Sequence, residues 1–410
     1  MKFIKIVTYD NFPFGGAPAN YLRYFALSLS LQKENDVEVI MPKGNYGLKN
    51  NINTKKVGNV ENVNYKHLGY KIHPTNFLGK FIDNFLGIIL PILFFIKQRI
   101  NNKVDIIIIY NTRFTATFTF LLIKWIIGKK LIIIIPEYYE KPIKKYSLAR
   151  INWLNFYIGI EYFIKFADQF IILSYYIKNL LLSKRIEEDK ILLLPNITDP
   201  ELFNLTNTKE FKKGKITIGY SGTPTRKDGI NNLIDSFALL SKKHSEIHLL
   251  IIGDAANGKS VLPVLKDKAI SLGISDKVTF TGIVPFSEVP GLLNSCQILA
   301  LTRPAGVFAE AGFPTKLGEY FACRKPVLVT SVGDINKYFI NEVHAIIVKP
   351  DDIENISLGF EKIILNDILR SKIVEEAYKW LSDNLNYKEL SPKINNFIIQ
   401  PNSYSKSALI

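Results

Sequence analysis

A chain of 410 residues with 47% hydrophobic and 22% charged residues has the composition of a globular protein, which excludes wholesale disorder. Its length predicts two domains of roughly 200 residues each, and its two cysteines indicate reduced core residues of a cytosolic protein. The net charge of +15 is concentrated in residues 1–200, where 27 Lys and Arg stand against 15 Asp and Glu, so this half is predicted to meet a polyanion or an anionic membrane surface.

The first half alternates between apolar strand patterns and helical patterns. Runs of isoleucine at 106–109 and 132–135 favour strands covered on both faces, as in a parallel sheet. The predicted strands are Phe3–Tyr9, Val37–Met41, Asp105–Tyr110, Leu131–Pro136, Gln169–Ser174 and Ile191–Pro195. The predicted crossover helices include Asn20–Leu31, Phe114–Ile127 and Tyr175–Leu182.

A second series of the same kind follows a polar stretch at Thr198–Gly214. Its predicted strands are Ile216–Tyr220, His248–Gly253, Lys277–Thr281, Ile298–Thr302, Pro326–Thr330 and Ala345–Lys349. Its predicted helices include Asn231–Lys243, Ser260–Leu272 and Glu288–Asn294. The sequence therefore predicts an α/β protein of two doubly wound, Rossmann-like domains that face a cleft, with ligands at the carboxyl ends of the strands.

The predicted boundaries follow from these series. We expect a first Rossmann-like domain at 1–200, a second Rossmann-like domain at 201–385, and at 386–410 a helix that returns toward the first domain, followed by a tail.

Two apolar stretches raise the question of a membrane. Phe85–Ile96, interrupted by Pro91, falls short of the ~20 residues that a spanning helix needs, and Ala116–Ile127 is broken by Lys124. We expect half-buried helices here and no spanning segment. The alternative is that aromatic and basic faces around Phe77–Arg99 rest on a bilayer. The amino terminus reads as a strand with interleaved lysines and not as a secretory signal.

Nucleic acid is the competing partner for the basic half. We find no zinc spacing, helix-turn-helix pattern or aromatic RNA-binding motif, so we predict no nucleic acid and favour phospholipid or a lipid diphosphate.

The loop after the first strand contains Gly15 and Gly16, and Pro18 and Asn20 follow. Paired glycines let the backbone approach an anion closely, and a proline suits a helix start. The third glycine and the acidic ribose ligand of a dinucleotide fingerprint are missing, which disfavours a dehydrogenase. A plain strand-to-helix turn is the alternative.

Pro136–Lys141 follows a predicted strand and so lies at the carboxyl edge of the first domain. Glu137 beside Tyr138 is a combination that holds sugar hydroxyls. A capped loop with exposed tyrosines is nearly as good an interpretation.

The loop after the first strand of the second domain runs from Gly219 to Gly229. Its glycine turn at Gly222-Thr223 and its adjacent cations Arg226 and Lys227 form a candidate diphosphate clamp, and Lys227 is a candidate to stabilise a departing phosphate. The alternative is a charged solvent loop.

The most informative stretch is Glu310–Ala322, with Arg303 shortly before it. A loop of Gly312, Phe313 and Pro314 opens a helix at Thr315, where unpaired N–H groups and the helix dipole attract phosphate. Lys316 adds a charge for phosphate and Glu319 a carboxylate for sugar hydroxyls. Glu310 and Glu319 as a general acid and base pair are the alternative.

The five histidines show no metal-binding spacing, so no metal and no cofactor are predicted.

These motifs together resemble the retaining glycosyltransferases of family four, which have the two-domain GT-B fold. The matching pieces of the second half are Gly219–Gly222, Lys227-Asp228-Gly229, Leu249–Gly253, Val278–Gly282, Gly312–Tyr320, Lys325-Pro326-Val327 and Val348–Asp352. In the first half they are Gly15-Gly16, Ala167-Asp168, Ile172–Ser174 and Leu194–Asn196.

The resemblance implies roles for individual residues. The Gly15-Gly16 loop and the Arg226-Lys227 pair would cradle the diphosphate, the backbone of Gly312–Lys316 would touch sugar and phosphates, Glu319 would bind ribose, and Ile283 would line the base. The family works without a metal. This chain departs from the family pattern at Ala311, where members have the first of two glutamates, and at Ser221, where many have arginine.

The sequence therefore predicts a glycosyltransferase of the hexosyltransferase type, cytoplasmic and peripheral on the inner face of the cell membrane. It would move a sugar from a nucleoside diphosphate donor, UDP-sugar favoured, to a lipid-linked or saccharide acceptor with retention, in cell-surface polysaccharide assembly. The alternatives are a GT-B sugar-nucleotide epimerase and a non-catalytic nucleotide-sugar-binding partner.

Overall fold

The computed structural model describes residues 1–46, 55–142, 147–204, 215–255 and 260–400. The chain forms two compact units, one of Met1–Pro195 with Tyr387–Ile410 and one of Asn196–Asn386. Residues 205–214 of the predicted polar linker and 401–410 of the predicted tail lie outside the described residues.

The first unit contains an eight-stranded sheet in the order β3-β4-β2-β1-β5-β6-β7-β8. Its strands are β1 Lys2–Thr8, β2 Asn35–Met41, β3 Val57–Val60, β4 Val63–His67, β5 Ile106–Tyr110, β6 Lys130–Ile135, β7 Gln169–Ile172 and β8 Ile191–Leu193. Only the β3–β4 pair is antiparallel among these strands. The isoleucine strands β5 and β6 are buried almost throughout, since helices cover both faces of a parallel sheet.

The helices of this unit connect the parallel strands. They are α1 Ala17–Ser30, α2 Phe77–Ile100, α3 Phe114–Ile127, α4 Leu148–Ile158, α5 Tyr175–Ser183 and, from the end of the chain, a helix at Tyr387–Ile399. The last helix lies against α1, where the Ser391 hydroxyl donates to the Ser28 carbonyl.

The expectation for the apolar run at Phe85–Ile96 was wrong in one respect. This run is the centre of α2, which is a continuous helix of 24 residues with Pro91 inside it, and its length and composition suffice to cross a membrane. The apolar run is shorter than the helix because the polar residues Asp83 and Asn84 stand directly before it. The helix continues through both of them. A single helix of this kind is weak evidence for a membrane span.

The second unit contains a six-stranded parallel sheet in the order β11-β10-β9-β12-β13-β14. Its strands are β9 Ile216–Ser221, β10 Ile247–Ile252, β11 Val278–Phe280, β12 Ile298–Leu301, β13 Val327–Thr330 and β14 Ile346–Val348. Its helices are α6 Pro200–Phe203, α7 Ile230–Leu240, α8 Leu262–Ser271, α9 Val289–Asn294, α10 Val307–Glu310, α11 Thr315–Ala322, α12 Ile335–Tyr338, α13 Ile353–Leu365 and α14 Asp367–Leu385. The helix at Tyr387–Ile399 is therefore α15.

Every predicted strand is present, and the prediction of two doubly wound α/β sheets is confirmed. The sequence missed β3 and β4, whose residues mix glycine, asparagine and lysine and so lack a strand pattern. Each sheet has one point where the strand order reverses, between β1 and β5 in the first and between β9 and β12 in the second. Ligands of open α/β sheets bind at the carboxyl ends of the strands beside such points.

Helix α2 is anchored to the first unit by one face, and Phe95 tests this anchoring. Phe95 is fully buried against Phe120 of α3, with ring centroids 5.6 Å apart. We expect Phe95→Ala to lower the free energy of unfolding by about 3–5 kcal/mol, because it removes a buried ring and leaves a cavity. Leu93→Ala, on the exposed face of the same helix, should cost about 0.5 kcal/mol. Equal urea midpoints for the two variants would contradict this packing.

Candidate active site

The candidate donor site of the second unit is built around one buried carboxylate, Asp228. It ends the short 3₁₀ helix Arg226–Asp228, which follows β9. Asp228 Oδ2 lies 2.7 Å from Lys316 Nζ, and Asp228 Oδ1 lies 3.1 Å from Arg303 Nη2 and 3.2 Å from Arg303 Nε. The Tyr220 hydroxyl lies 2.8 Å from Asp228 Oδ2. Two cations from different parts of the chain are thus held at one carboxylate.

The charges of this cluster set the protonation of Asp228. Burial raises the pKa of the carboxyl, but Lys316, Arg303 and the hydrogen bonds of Lys316 and Tyr220 outweigh burial and hold the pKa well below its ordinary value of 3.8. The cluster therefore carries Asp228 as an anion at neutral pH, and its two cations leave one net positive charge beside the strand ends.

Two glycines make this arrangement possible. A Cβ at Gly222 would lie 2.4 Å from Lys316 Cε, so the absence of a side chain gives the lysine its path to Asp228. Gly229 has φ +72°, and a Cβ there would lie 1.7 Å from the Thr302 carbonyl oxygen. The Thr302 hydroxyl donates to the Gly229 carbonyl at 2.8 Å, which joins the loop after β9 to the end of β12.

Helix α11 begins at Thr315, as predicted, and is fixed to the end of β9. The Ser221 N–H donates to the Tyr320 hydroxyl at 2.9 Å. The preceding loop is fixed as well, since the Asn196 amide donates to the carbonyl of the buried Phe313. Glu319 lies three residues after Lys316, so the two project from neighbouring positions of one helix face.

The structure divides the predicted clamp residues into two groups. It brings Lys316 and Arg303 together at Asp228, with Gly222 beside them. Arg226 and Lys227, the predicted cation pair, are exposed in the 3₁₀ turn. Thr223 is also exposed, and its carbonyl lies 2.8 Å from the Tyr220 hydroxyl.

The sequence named Asp228 in a motif but gave it no role. Its neighbours Arg226 and Lys227 were predicted as the diphosphate clamp, with a charged solvent loop as the alternative, and nothing in a turn of this length distinguishes its buried residue. The following glycine, which requires positive φ, was the one signal of a tight and enclosed turn.

The two glutamates of the alternative acid and base pair lie in different helices. Glu310 ends α10, and its carboxylate accepts the Gly333 N–H at 3.1 Å, so it holds a neighbouring loop. Ala311 follows it and is 0% exposed, so its methyl group is enclosed at the position where the resembled family has a glutamate.

Ile283, the predicted base-lining residue, follows β11 and is exposed. The bend before it is fixed by Thr281, whose hydroxyl accepts the Gly253 N–H at 3.2 Å. Gly282 has φ +70°, which a glycine adopts without strain. Ile283 is thus presented from a rigid turn at the carboxyl edge of the sheet.

In the first unit, the predicted acceptor-side residues also follow strand ends. Asn20 is buried in the first turn of α1, and Glu137 and Tyr138 follow β6. Gly16, which was predicted with Gly15 to cradle the donor diphosphate, caps α1 after β1. A pocket of about 180 Å³ lies at the end of β1. It is lined by Asp10, Asn11, Gly16, Pro18, Ala19 and Tyr46. Gly15 precedes Gly16 in the same loop, and a Cβ there would lie 3.0 Å from Asn11 Cβ.

Asp10 is a functional candidate that the sequence did not indicate. Burial raises the pKa of its carboxyl, Arg113 opposes this and Glu137 adds to it. The Tyr139 hydroxyl donates to Glu137 Oε1 at 2.6 Å. Tyr138 points elsewhere, with its ring 5.3 Å from that of Phe156. The Glu137 carboxylate, which follows β6, therefore raises the pKa of Asp10, which follows β1. No local sequence motif contains both residues.

Within the described ranges, no group of three His, Cys, Asp or Glu side chains is placed to hold a metal ion.

The comparisons with known proteins address the second unit most directly. Residues 204–380 match the family model described as Glycosyl transferases group 1. An uncharacterized glycosyltransferase of Methanocaldococcus jannaschii is 23% identical over 55% of this chain and 56% of its own length. The capsular polysaccharide biosynthesis glycosyltransferase CapM of Staphylococcus aureus is 25% identical over 63% of this chain and 72% of its own.

The first curated relatives are covered by this chain over 56% and 35% of their own length, which is about half or less.

Solved structures match over nearly the whole chain. Anabaena HepE in complex with UDP has a TM-score of 0.70 at 16% identity, covering 97% of this chain and 98% of that one. Sucrose-phosphate synthase of Thermosynechococcus elongatus has a TM-score of 0.73 at 14% identity, covering 97% and 98%. These matches show the GT-B fold.

The Asp228 cluster makes a prediction about stability. We expect Asp228→Asn to lower the free energy of unfolding by about 3 kcal/mol at pH 7, because two largely buried cations lose their counterion. Asp235→Asn is the matched control: it breaks a pair of the same 2.7 Å length with Lys268, but a third of that aspartate side chain is exposed. The control should cost less than about 1 kcal/mol.

The same cluster predicts a pH dependence. The pKa of Asp228 is lowered in the folded state, so its stabilisation is complete above the ordinary value of 3.8 and is lost as the pH falls below it. The difference in stability between the wild type and Asp228→Asn should therefore shrink between pH 5 and pH 3 in urea titrations. A difference that stays constant over this range would show that Asp228 is not a charged partner of the cations.

Proposed function

We propose that the protein is a glycosyltransferase that moves a sugar from a nucleoside diphosphate sugar, with UDP-sugar favoured, to a lipid-linked or saccharide acceptor. The observation that carries the proposal is the cluster of Lys316, Arg303 and Asp228 at the strand reversal of the second sheet, inside the segment that matches the glycosyl transferases group 1 model. Glycosidic transfer from such a donor separates a sugar from a diphosphate, so cations at this position stabilise the leaving group.

We assign the donor contacts of the second unit to this edge. Lys316 and Arg303 offer positive charge for the phosphates. The exposed Arg226 and Lys227 add positive charge from the turn that contains Asp228. The loop Gly312–Thr315 opens α11 and offers backbone N–H groups. Glu319 would take the ribose hydroxyls and Ile283 the base. Protein cations alone can neutralise the diphosphate in this scheme, which is why we propose a reaction without a metal ion. Retention of configuration is proposed from the resemblance to family four.

UDP is favoured as the nucleotide because a structural match, HepE, was solved with UDP, and GDP is the second choice. For the acceptor side we propose Asp10 and Glu137, which have the carboxylates to bind sugar hydroxyls, together with Asn20. The Gly15-Gly16 loop is proposed for the donor diphosphate. The name of CapM supports a role in cell-surface polysaccharide assembly. We propose a hexosyltransferase type from the resemblance to family four alone. We propose a cytoplasmic protein that is peripheral on the inner face of the cell membrane.

A second candidate is a non-catalytic partner that binds the donor without transferring it. The enclosed Ala311 favours it, because the resembled family has at this position a carboxylate that contacts the donor sugar. Such a protein would bind the nucleotide sugar with normal affinity and release no nucleoside diphosphate with any acceptor.

Donor binding is the first test. We expect UDP-sugars to raise the melting temperature of the purified protein, because a ligand that binds the native state stabilises it in proportion to its affinity. GDP-sugars and free UDP are tested in parallel. Lys316→Gln should abolish most of the shift, whereas Lys372→Gln, which changes an exposed lysine of α14, should leave it intact. No shift with any nucleotide sugar would contradict the proposal.

Catalysis is the second test. We expect Lys227→Ala to lower the rate of sugar transfer by about 10²–10³-fold, because removing one group that stabilises developing charge typically costs that much. Glu319→Ala should lower it by about 10–10²-fold, because it removes the hydrogen bonds of a charged group to the ribose. Turnover is measured as the release of nucleoside diphosphate in the presence of acceptor. Near-normal rates in either variant would remove that residue from the site. Donor binding without turnover in the wild type would favour the non-catalytic partner.

A further inference from the structure

Helices α2 and α3 present an unusually apolar surface to solvent. Phe77 is 86% and Trp125 84% exposed, and large contiguous apolar patches are rare on monomeric soluble proteins. The other exposed apolar residues of the two helices are Leu78, Phe81, Ile82, Phe85, Ile88, Ile89, Leu93, Ile100, Phe118, Leu122 and Ile126. We call the exposed faces of α2 and α3 the apolar surface.

The apolar surface is one continuous feature of the first unit. Phe95 of α2 and Phe120 of α3 pack edge to face beneath it, and Arg99 Nε donates to the Ile127 carbonyl at 3.1 Å. The face that α2 turns to the core is narrow: the buried residues Asp83, Gly87, Pro91 and Phe95 recur every four positions and form a single stripe. The exposed apolar residues of α2 named above lie outside this stripe.

The charges of these helices have one sign on the outside. Asp83 is the sole acidic residue in the sequence of α2, and α3 has none. Asp83 is 0% exposed and lies 2.6 Å from His73 Nδ1, so it contributes no surface charge. Lys80, Lys97 and Arg99 are exposed on α2. An apolar surface flanked by cations, without an exposed carboxylate, is complementary to the headgroups and acyl chains of an anionic bilayer.

We infer that the apolar surface docks onto an anionic membrane, with α2 and α3 lying in the plane of the headgroups and their aromatic side chains entering the acyl region. The inference deepens the proposed function, since it names the part of the chain that meets the membrane. It rests on that proposal for the membrane setting and not for sugar transfer.

The topology excludes the alternative that α2 spans the bilayer in this fold. Strand β4 precedes α2 and strand β5 follows it, and both belong to the same sheet. A spanning α2 would place these strands on opposite sides of the membrane and would pull Asp83 and His73 out of the unit. Docking parallel to the membrane leaves the buried stripe in place.

Charge also argues against a second copy of the chain as the occupant. A symmetric dimer through this surface would bring the same cations of two copies toward each other, without an exposed carboxylate of α2 or α3 to pair with them. Anionic lipid supplies the missing counter-charge.

The experiment uses the full chain and vesicles of phosphatidylcholine with or without 30% phosphatidylglycerol. We expect sedimentation with the anionic vesicles, weaker binding at high salt, and a blue shift of tryptophan fluorescence that disappears in Trp125→Phe. Phe81→Glu/Trp125→Glu should lose binding by tenfold or more. Val264→Glu is the matched control, because Val264 is an exposed apolar residue of α8 in the second unit; it should bind like the wild type.

The charge contribution has its own variant. Lys80→Gln/Lys97→Gln should weaken binding to anionic vesicles by about 30-fold, since each basic residue near such a surface contributes about a factor of five. Donor-induced thermal shifts should be unchanged in all these variants, which separates this inference from the proposed function. Absence of vesicle binding, equal binding by Phe81→Glu/Trp125→Glu, or a dimer that these substitutions dissociate would overturn the inference.

Discussion

Both candidate sites depend on one constraint, the parallel direction of neighbouring strands. When strands of a sheet run the same way, all their carboxyl ends meet at one edge, and the loops that follow them are neighbours in space although they are distant in sequence. Asp228 after β9 and Arg303 after β12 meet for this reason. In the first unit, Asp10 after β1 and Glu137 after β6 are close enough to shift a pKa.

The Asp228 cluster shows how such an edge is kept charged. Removing a carboxylate from water is unfavourable, and it is tolerated here because Lys316, Arg303 and Tyr220 all face it. The arrangement fixes two long, otherwise mobile cations before any ligand arrives. Positioning of this kind reduces the reorganisation needed when negative charge develops on a leaving group. The cluster requires glycine at two backbone positions, because a side chain at Gly222 would collide with Lys316 and one at Gly229 with the Thr302 carbonyl.

Helix α2 combines two roles that usually belong to different helices. Its stripe of Asp83, Gly87, Pro91 and Phe95 fastens it to the sheet, while most of its remaining surface is apolar and exposed. Exposing such a surface to water is unfavourable for a soluble protein, so its presence indicates that a binding partner covers it. Hydrophobicity alone would suit a protein partner equally well. The absence of exposed carboxylates from α2 and α3 favours an anionic membrane as the partner.

The sequence by itself determined the alternation of strands and helices, the two sheets and the loops at their carboxyl ends, because these follow from local periodicity and from glycine. It also located Lys316 at the start of a helix. Only the tertiary structure decided that Asp228 is buried while its neighbour Lys227 is exposed, that Asp10 and Glu137 interact, and that α2 runs over 24 residues with an apolar outer face. Burial depends on contacts between distant segments, so adjacent residues of a turn, or the two sides of an apolar helix, carry no local signal of which one faces water.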